Sequence, residues 1–140
     1  MIKITKESSV SIDDVLHLYQ AVGWTNYTNQ PQMLEQALPH SLTTHLARDG
    51  EEIVGLVRLV GDGFSSVFVQ DLIVLPSYQR QGIGSNLMKE ALADYKDAYQ
   101  IQLATEQTEK TLGFYRSLGF ETLSTYDCTG MIWVDRKKFK

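Results

Sequence analysis

The stretch at residues 69–92, VQDLIVLPSYQRQGIGSNLMKEAL, constrains the fold of this chain more than any other. An apolar run predicts a buried strand at residues 67–75, and Pro76 interrupts it. Two glycines, Gly82 and Gly84, then lead into apolar residues at three- and four-residue intervals, which predict a helix. The first N–H groups of a helix lack a partner within it, and the helix dipole adds partial positive charge there. The stretch therefore predicts an anion site.

The residues of this turn suit a phosphate group. Glycine at positions 82 and 84 removes the Cβ atoms that would keep a ligand away from the backbone. Gln79, Arg80 and Gln81 add side-chain donors, and the guanidinium of Arg80 carries a full charge. The alternative is an ordinary strand–helix turn, in which Arg80 is only an exposed loop charge.

Hydrophobic periodicity predicts an α+β fold, with one domain over residues 1–140. We expect a mixed, twisted sheet that combines an antiparallel meander with a β-α-β crossover, flanked by about four helices. A polar and aromatic loop is predicted at residues 23–31. The predicted strands are residues 2–5, 42–48, 52–60, 64–75, 100–105, 120–123 and 131–134, and the predicted helices are residues 12–22, 31–38, 82–97 and 108–118.

Composition and charge exclude several classes of protein. The net charge of −4 argues against nucleic acid as a partner, and the basic tail at residues 136–140 is interpreted as a solvated terminus. The one cysteine, Cys128, can form neither an internal disulfide nor a metal cluster. No apolar run is long enough to span a bilayer, and no signal-peptide core is present. We therefore expect a cytoplasmic protein without a metal or a membrane partner.

Two motifs resemble the GCN5-related N-acetyltransferase (GNAT) family. Gln79-x-x-Gly82-x-Gly84 resembles the acetyl-CoA pyrophosphate loop of that family. The segment at residues 114–120, FYRSLGF, resembles its FYxxLGF segment and follows the loop in the expected order of elements. The resemblance covers residues 53–120, and it implies an N-acetyltransferase with acetyl-CoA as co-substrate.

The resemblance also implies which residues bind acetyl-CoA. The strand carrying Leu72, Ile73 and Val74 would pair with the pantetheine arm. Thr108 stands where the family often has an asparagine, and its hydroxyl can still bind an amide. The pyrophosphate would be surrounded by Gln79, Arg80, Gln81, Gly82, Ile83, Gly84 and Ser85.

The chemistry of acetyl transfer suggests further roles. We expect direct attack of the amine in a ternary complex, so no protein nucleophile is needed. Tyr115, placed near the thiol by the resemblance, could protonate the leaving thiolate, and its alternative role is as a core aromatic. Asp71 is the first candidate base and Glu106 the second, although Asp71 could instead be a polar residue that is satisfied by hydrogen bonds to nearby backbone.

The acceptor is less defined by the sequence than the donor. Trp24 and Tyr27 in the predicted aromatic loop could contact the substrate or cover the core. Their aromatic character favours a small arylalkylamine or a similar amine. The alternatives are a non-catalytic acyl-CoA sensor and a protein or peptide acetyltransferase. An open edge at the last two predicted strands would allow a homodimer.

Overall fold

A computed structural model describes residues 1–133 and 135. The chain divides into two compact units, Met1–Ala104 and Thr105–Lys140. The first unit contains the whole sheet and four of the five α-helices found in the described residues. None of these helices is both long enough and apolar enough to cross a membrane.

The sheet is mixed, as the sequence predicts. Its five strands lie in the order in which they occur in the chain, and the first four are antiparallel. The last two are parallel and are joined through a helix, so the β-α-β crossover is confirmed along with the α+β class. The strands are β1 Ile2–Lys6, β2 Thr43–Asp49, β3 Glu52–Gly61, β4 Val67–Val74 and β5 Ile101–Leu103.

The described residues form five α-helices where about four were expected. The additional one is α2, a single turn inside the segment predicted as a loop. The helices are α1 Ile12–Ala21, α2 Thr25–Thr28, α3 Pro31–Ala37, α4 Ile83–Leu92 and α5 Glu109–Ser117. α1 begins where the sequence predicts, because the Ser11 side chain accepts a hydrogen bond from the Asp13 N–H.

Helices cover the central part of the sheet on both faces. Residues 53–59 of β3 are all buried, which requires covering on both sides because alternate side chains point to opposite faces. On α4, the apolar stripe predicted from the sequence is buried. Gly55 of β3 allows close packing of this helix, since a Cβ there would lie 3.1 Å from Leu87 Cδ1 and 3.1 Å from the Ile73 carbonyl oxygen.

Some predicted boundaries were wrong. The strand expected from residue 64 begins at Val67. The reason is that the Asp62 carboxylate accepts hydrogen bonds from the N–H groups of residues 64, 65 and 66. These bonds hold a turn in place of ladder pairing. The α-helix expected to residue 97 ends at Leu92 and continues as the 3₁₀ turn Ala93–Tyr95.

The first predicted closing strand, at residues 120–123, was wrong. Thr122 precedes the 3₁₀ turn Leu123–Tyr126, and its hydroxyl lies within hydrogen-bond distance of the Ser124 and Thr125 hydroxyls. Asp127 then has a left-handed backbone with φ 58°. These local side-chain and turn interactions compete with strand pairing.

The second predicted closing strand, at residues 131–134, is absent from its described part. Residues 131–133 form no strand, and Val134 lies outside the described residues. The side chains of Met131 and Trp133 are exposed, so no described strand covers the apolar residues that suggested this element.

Candidate functional site

β4 has one open edge. It pairs with β5 only at Val67, Phe68 and Val69, whereas its pairing with β3 on the other side continues to Val74. No described strand therefore pairs with residues 70–74 on the β5 side, and we call this segment the open edge. Unpaired N–H and C=O groups of such an edge can bind another extended chain.

Strand alternation indicates which residues of the open edge have backbone groups available. The Leu75 N–H donates to the Val54 carbonyl oxygen of β3 at 2.9 Å, so Leu75 faces β3. Because neighbouring residues face opposite sides, Leu72 and Val74 direct their backbone N–H and C=O groups away from β3. The Gln79 side chain supports this assignment, since its Nε2 donates to the Val74 carbonyl oxygen at 3.1 Å.

The turn after β4 has an anion-binding backbone. Arg80 has φ 64° and Gly82 has φ 80°, and neither Gln81 nor Ile83 has a positive φ. The left-handed Gly82 is followed by the helical Ile83, and such a pair makes successive N–H groups converge into a concave anion site called a nest. Arg80 is exposed, and no described carboxylate pairs with its guanidinium.

α4 begins directly after the nest. Gly82 occupies the cap position without a side-chain cap, and a Cβ there would meet no atom within 4 Å. The Asn86 N–H is the first to bond to a carbonyl of the helix start, that of Gly82, at 3.0 Å. The preceding N–H groups, those of Ile83, Gly84 and Ser85, therefore remain for an external anion. Nest, helix start and Arg80 together form a site whose chemistry fits a phosphate group.

A buried network lies at the start of the open edge. Asp71 is 2% exposed, and its carboxylate accepts hydrogen bonds from Tyr19 Oη at 2.8 Å, Tyr27 Oη at 2.9 Å and Arg58 Nε at 2.8 Å. Arg58 Nη1 also donates to Ser41 Oγ at 3.3 Å. We call these five residues the Asp71 network. Asp71 is thus satisfied within the protein, as the alternative interpretation expected, but its partners are side chains and not the nearby backbone.

Charges within the network shift its other titratable groups. Burial, followed by the nearby Asp71 carboxylate, raises the pKa of Tyr19 and of Tyr27. Burial lowers the pKa of the Arg58 guanidinium, but the attraction of Asp71 outweighs it, so that the net shift is upward. Both tyrosines therefore remain neutral donors, and Arg58 remains charged.

Two tyrosines are oriented by the same kind of helix end. After α1, Gly23 has φ 73° and the Trp24 N–H donates to the Tyr19 carbonyl at 3.1 Å, with the two ring centroids 6.1 Å apart. After α5, Gly119 has φ 96° and the Phe120 N–H donates to the Tyr115 carbonyl at 3.1 Å, with the ring centroids 6.0 Å apart. Both are Schellman caps with their hydrophobic contact. In the FYxxLGF-like segment, leucine–glycine–phenylalanine therefore terminates the helix and packs against Tyr115.

Tyr115 lies in the second unit and is half-buried. Its ring also packs at 5.0 Å, edge on, against that of Phe114. Burial raises the pKa of the Tyr115 phenol, and a hydrogen bond with the Thr105 side chain lowers it by a smaller amount. The phenol therefore carries its proton at neutral pH, as a proton donor must.

Three other predicted site residues have defined surroundings. Trp24 is half-buried against the core cluster, whereas Tyr27 is buried and its hydroxyl bonds to Asp71. Thr108 caps α5: its hydroxyl oxygen accepts from the Thr111 N–H at 3.2 Å. Sequence reasoning missed Arg58 and Tyr19. The signal for Arg58 is that it is the one positively charged residue of the strand EIVGLVRLVG, which pairs with a strand that contains one aspartate.

Comparisons with known proteins agree with this architecture. A family model described as the acetyltransferase (GNAT) domain matches residues 40–122. The chain therefore belongs to the GNAT family of acetyltransferases. A GNAT family acetyltransferase from Streptococcus pneumoniae is 74% identical, with a TM-score of 0.91 over 97% of this chain and 99% of that one.

More distant relatives carry more specific names. Serotonin N-acetyltransferase 2 of rice, Oryza sativa subsp. japonica, is 33% identical over 82% of this chain and 60% of that protein. The chain spans less than two thirds of the length of this protein and of a matching Arabidopsis thaliana protein. A GNAT acetyltransferase from Elizabethkingia anophelis, with acetyl-CoA bound, has a TM-score of 0.63 over 86% of this chain and 76% of its own. At 22% identity, that likeness concerns the fold.

Proposed function

We propose that this protein transfers the acetyl group of acetyl-CoA to the primary amine of a small molecule, by direct attack in a ternary complex. One observation carries the proposal: the open edge of β4 runs directly into a nest and an uncapped helix start. An extended amide arm and a pyrophosphate are joined in acetyl-CoA in the same order. The acetyl-CoA bound to the Elizabethkingia protein, whose fold is similar, supports this choice of donor.

Each part of the proposed donor site has one task. The backbone groups of Leu72 and Val74 would pair with the pantetheine arm, with the side chain of Ile73 anchoring the strand in the core. One of the outward N–H groups would stabilise the thioester oxygen as it gains charge. The pyrophosphate would be bound by the nest, by the first N–H groups of α4 and by Arg80. The contact of Thr108 with the pantetheine arm remains a prediction.

The acceptor side rests on fewer observations. We propose an arylalkylamine or a similar amine, supported by the half-buried indole of Trp24 and by the name of the rice relative. Tyr27 remains a predicted contact of the substrate. Because its hydroxyl already donates a hydrogen bond to Asp71, Trp24 is the stronger candidate. A single domain and a cytoplasmic location are also proposed. The predicted homodimer loses its stated basis, because residues 120–123 and 131–133 form no strand. The rival functions are an acyl-CoA sensor and a peptide acetyltransferase.

Release of the CoA thiol tests the function. Acetyl-CoA is mixed with the protein and with a panel that contains arylalkylamines, aliphatic diamines and lysine peptides. We expect thiol release that saturates with an arylalkylamine and is much slower with the peptides. Tight acetyl-CoA binding with no amine-stimulated release would indicate the sensor, and release only with lysine peptides would indicate the peptide enzyme.

Tyr115→Phe tests the proposed proton donor. The substitution keeps the ring contacts with Phe114 and Phe120 and removes only the hydroxyl. We expect kcat to fall about tenfold or more, with an unchanged Kd for acetyl-CoA, because a general acid acts in the transition state. Tyr126→Phe, an exposed tyrosine in the same unit, is the matched control. An unchanged kcat in Tyr115→Phe would leave Tyr115 as a packing residue.

A further inference from the structure

We propose that Asp71 is a positioning residue: the Asp71 network holds the start of the open edge so that the Leu72 N–H points toward the acetyl donor. This inference rests on the proposed function and differs from the predicted role of Asp71 as a general base. In this role the network links α1, α2 and β3 to β4, the strand whose backbone would contact the acetyl donor.

The network has the contacts that such a task requires. Its members come from five segments: Tyr19 from α1, Tyr27 from α2, Ser41 before β2, Arg58 from β3 and Asp71 from β4. The side chains of Arg58 and Asp71 are only 5% and 1% exposed. Charged hydrogen bonds in such a buried setting are short and strongly directional, and they restrict the residues that make them.

The position of the network along β4 is equally important. Arg58 is the register partner of Asp71, whereas the next residue, Leu59, is the partner of Val69. Gln70 therefore has no partner opposite it and forms a β-bulge, which re-aims the strand. Pairing with β5 ends at Val69, one residue before the bulge. The Arg58–Asp71 pair thus holds β4 to β3 just beyond the point where the pairing of β4 with β5 ends.

The surroundings of Asp71 do not suit a general base. Both carboxylate oxygens accept hydrogen bonds, and all three donors are buried groups of this chain. A base must reach the proton it removes, directly or through one water molecule. Asp71 instead precedes Leu72, so a shift of its carboxylate would move the backbone N–H proposed to contact the thioester.

Two readouts on Asp71→Asn test the inference. The first is kcat as a function of pH. We expect kcat to decrease about tenfold or more at every pH, with an unchanged shape of the profile. The reason is that a catalytic group misplaced by about 1 Å can lower the rate about 10²-fold. The second is amide hydrogen exchange, which we expect to rise at Asp71 and Ile73, whose N–H groups face β3, and to stay unchanged in the β1–β2 ladder. Glu7→Gln is the matched control, since Glu7 is likewise a carboxylate paired with an arginine. Arg48 donates two hydrogen bonds to it.

Each outcome decides the inference. Loss of the acidic limb of the pH profile would identify Asp71 as a base and overturn it. Unchanged exchange at Asp71 and Ile73, or an equal rise in Glu7→Gln, would also overturn it. If Asp71→Asn does not fold, Tyr27→Phe retains the ion pair and removes one donor, and the same two readouts apply with a smaller effect. If the wild-type protein fails to release CoA, the proposed function fails, and the exchange measurement still decides whether the network positions the strand.

Discussion

Gly84→Asp should strongly weaken the binding of acetyl-CoA without destabilising the protein. Gly84 lies in the first turn of α4, among the N–H groups proposed to bind the pyrophosphate. A carboxylate there would repel that group, and like charges in contact cost several kcal/mol, so we expect affinity to fall on the order of 100-fold. The same carboxylate is favourable to the helix dipole and should leave the melting temperature unchanged or slightly raised. Calorimetric titration and a thermal melt measure the two effects.

Gly84→Asn is the matched control because asparagine has nearly the same shape as aspartate without its charge. We expect it to lose much less affinity, and we expect the difference between the two variants to shrink at high salt. Equal losses in both variants would mean that the site excludes any side chain. Unchanged affinity in Gly84→Asp would contradict the anion site itself.

The donor half of the site was the more predictable from sequence. A strand, a turn with two glycines and an amphipathic helix depend on local patterns, and all three are present in the predicted order, although the strand and the helix are shorter than predicted. The left-handed conformation of Arg80 was not predictable, because the residue with φ 64° is not a glycine and carries no sequence signal for it. The resemblance implies that the backbone at Leu72, Ile73 and Val74 is available to a ligand, but the end of the β4–β5 pairing at Val69 was not predictable from the sequence.

The segment with Trp24 shows why the acceptor half was harder to predict. Residues 23–31 have no periodicity, and the expectation of a loop followed from that. The structure uses Gly23 and Trp24 as a Schellman cap on α1, and one further helical turn buries Tyr27. An aromatic residue after a helix-terminating glycine is therefore as consistent with a hydrophobic contact at the cap as with a ligand contact.

The Asp71 network depends on long-range contacts, which single-residue patterns do not reveal. Tyr19 and Asp71 are 52 positions apart, and Arg58 and Asp71 are brought together only by the register of β3 and β4. Isolated charges in two apolar strands indicate a buried pair only when they face each other across the same sheet. A buried charge without its partner is costly, so the removal of one member of the pair should have a measurable effect on stability.

Arg58→Met should therefore destabilise the protein strongly. The substitution keeps an unbranched side chain in the core but leaves the buried Asp71 carboxylate without its counter-ion. Breaking a buried pair in this way costs about 3–5 kcal/mol, which urea unfolding would detect as a lower midpoint. Arg48→Met is the matched control: its partner Glu7 and Arg48 itself have side chains that are 27% and 31% exposed, and such a pair contributes about 0–1 kcal/mol.

The double variant Arg58→Met with Asp71→Leu distinguishes two causes of the lost stability in Arg58→Met: the unpaired Asp71 carboxylate and the loss of side-chain packing. If the penalty of the single variant comes from the unpaired carboxylate, removing that carboxylate should restore most of the unfolding free energy, since apolar replacements of buried pairs are often neutral. Catalysis should not recover with stability, because the backbone of the open edge would still lack its anchor at the bulge. A double variant as unstable as Arg58→Met would instead assign the loss to packing, and a fully active double variant would show that β4 needs no such anchor.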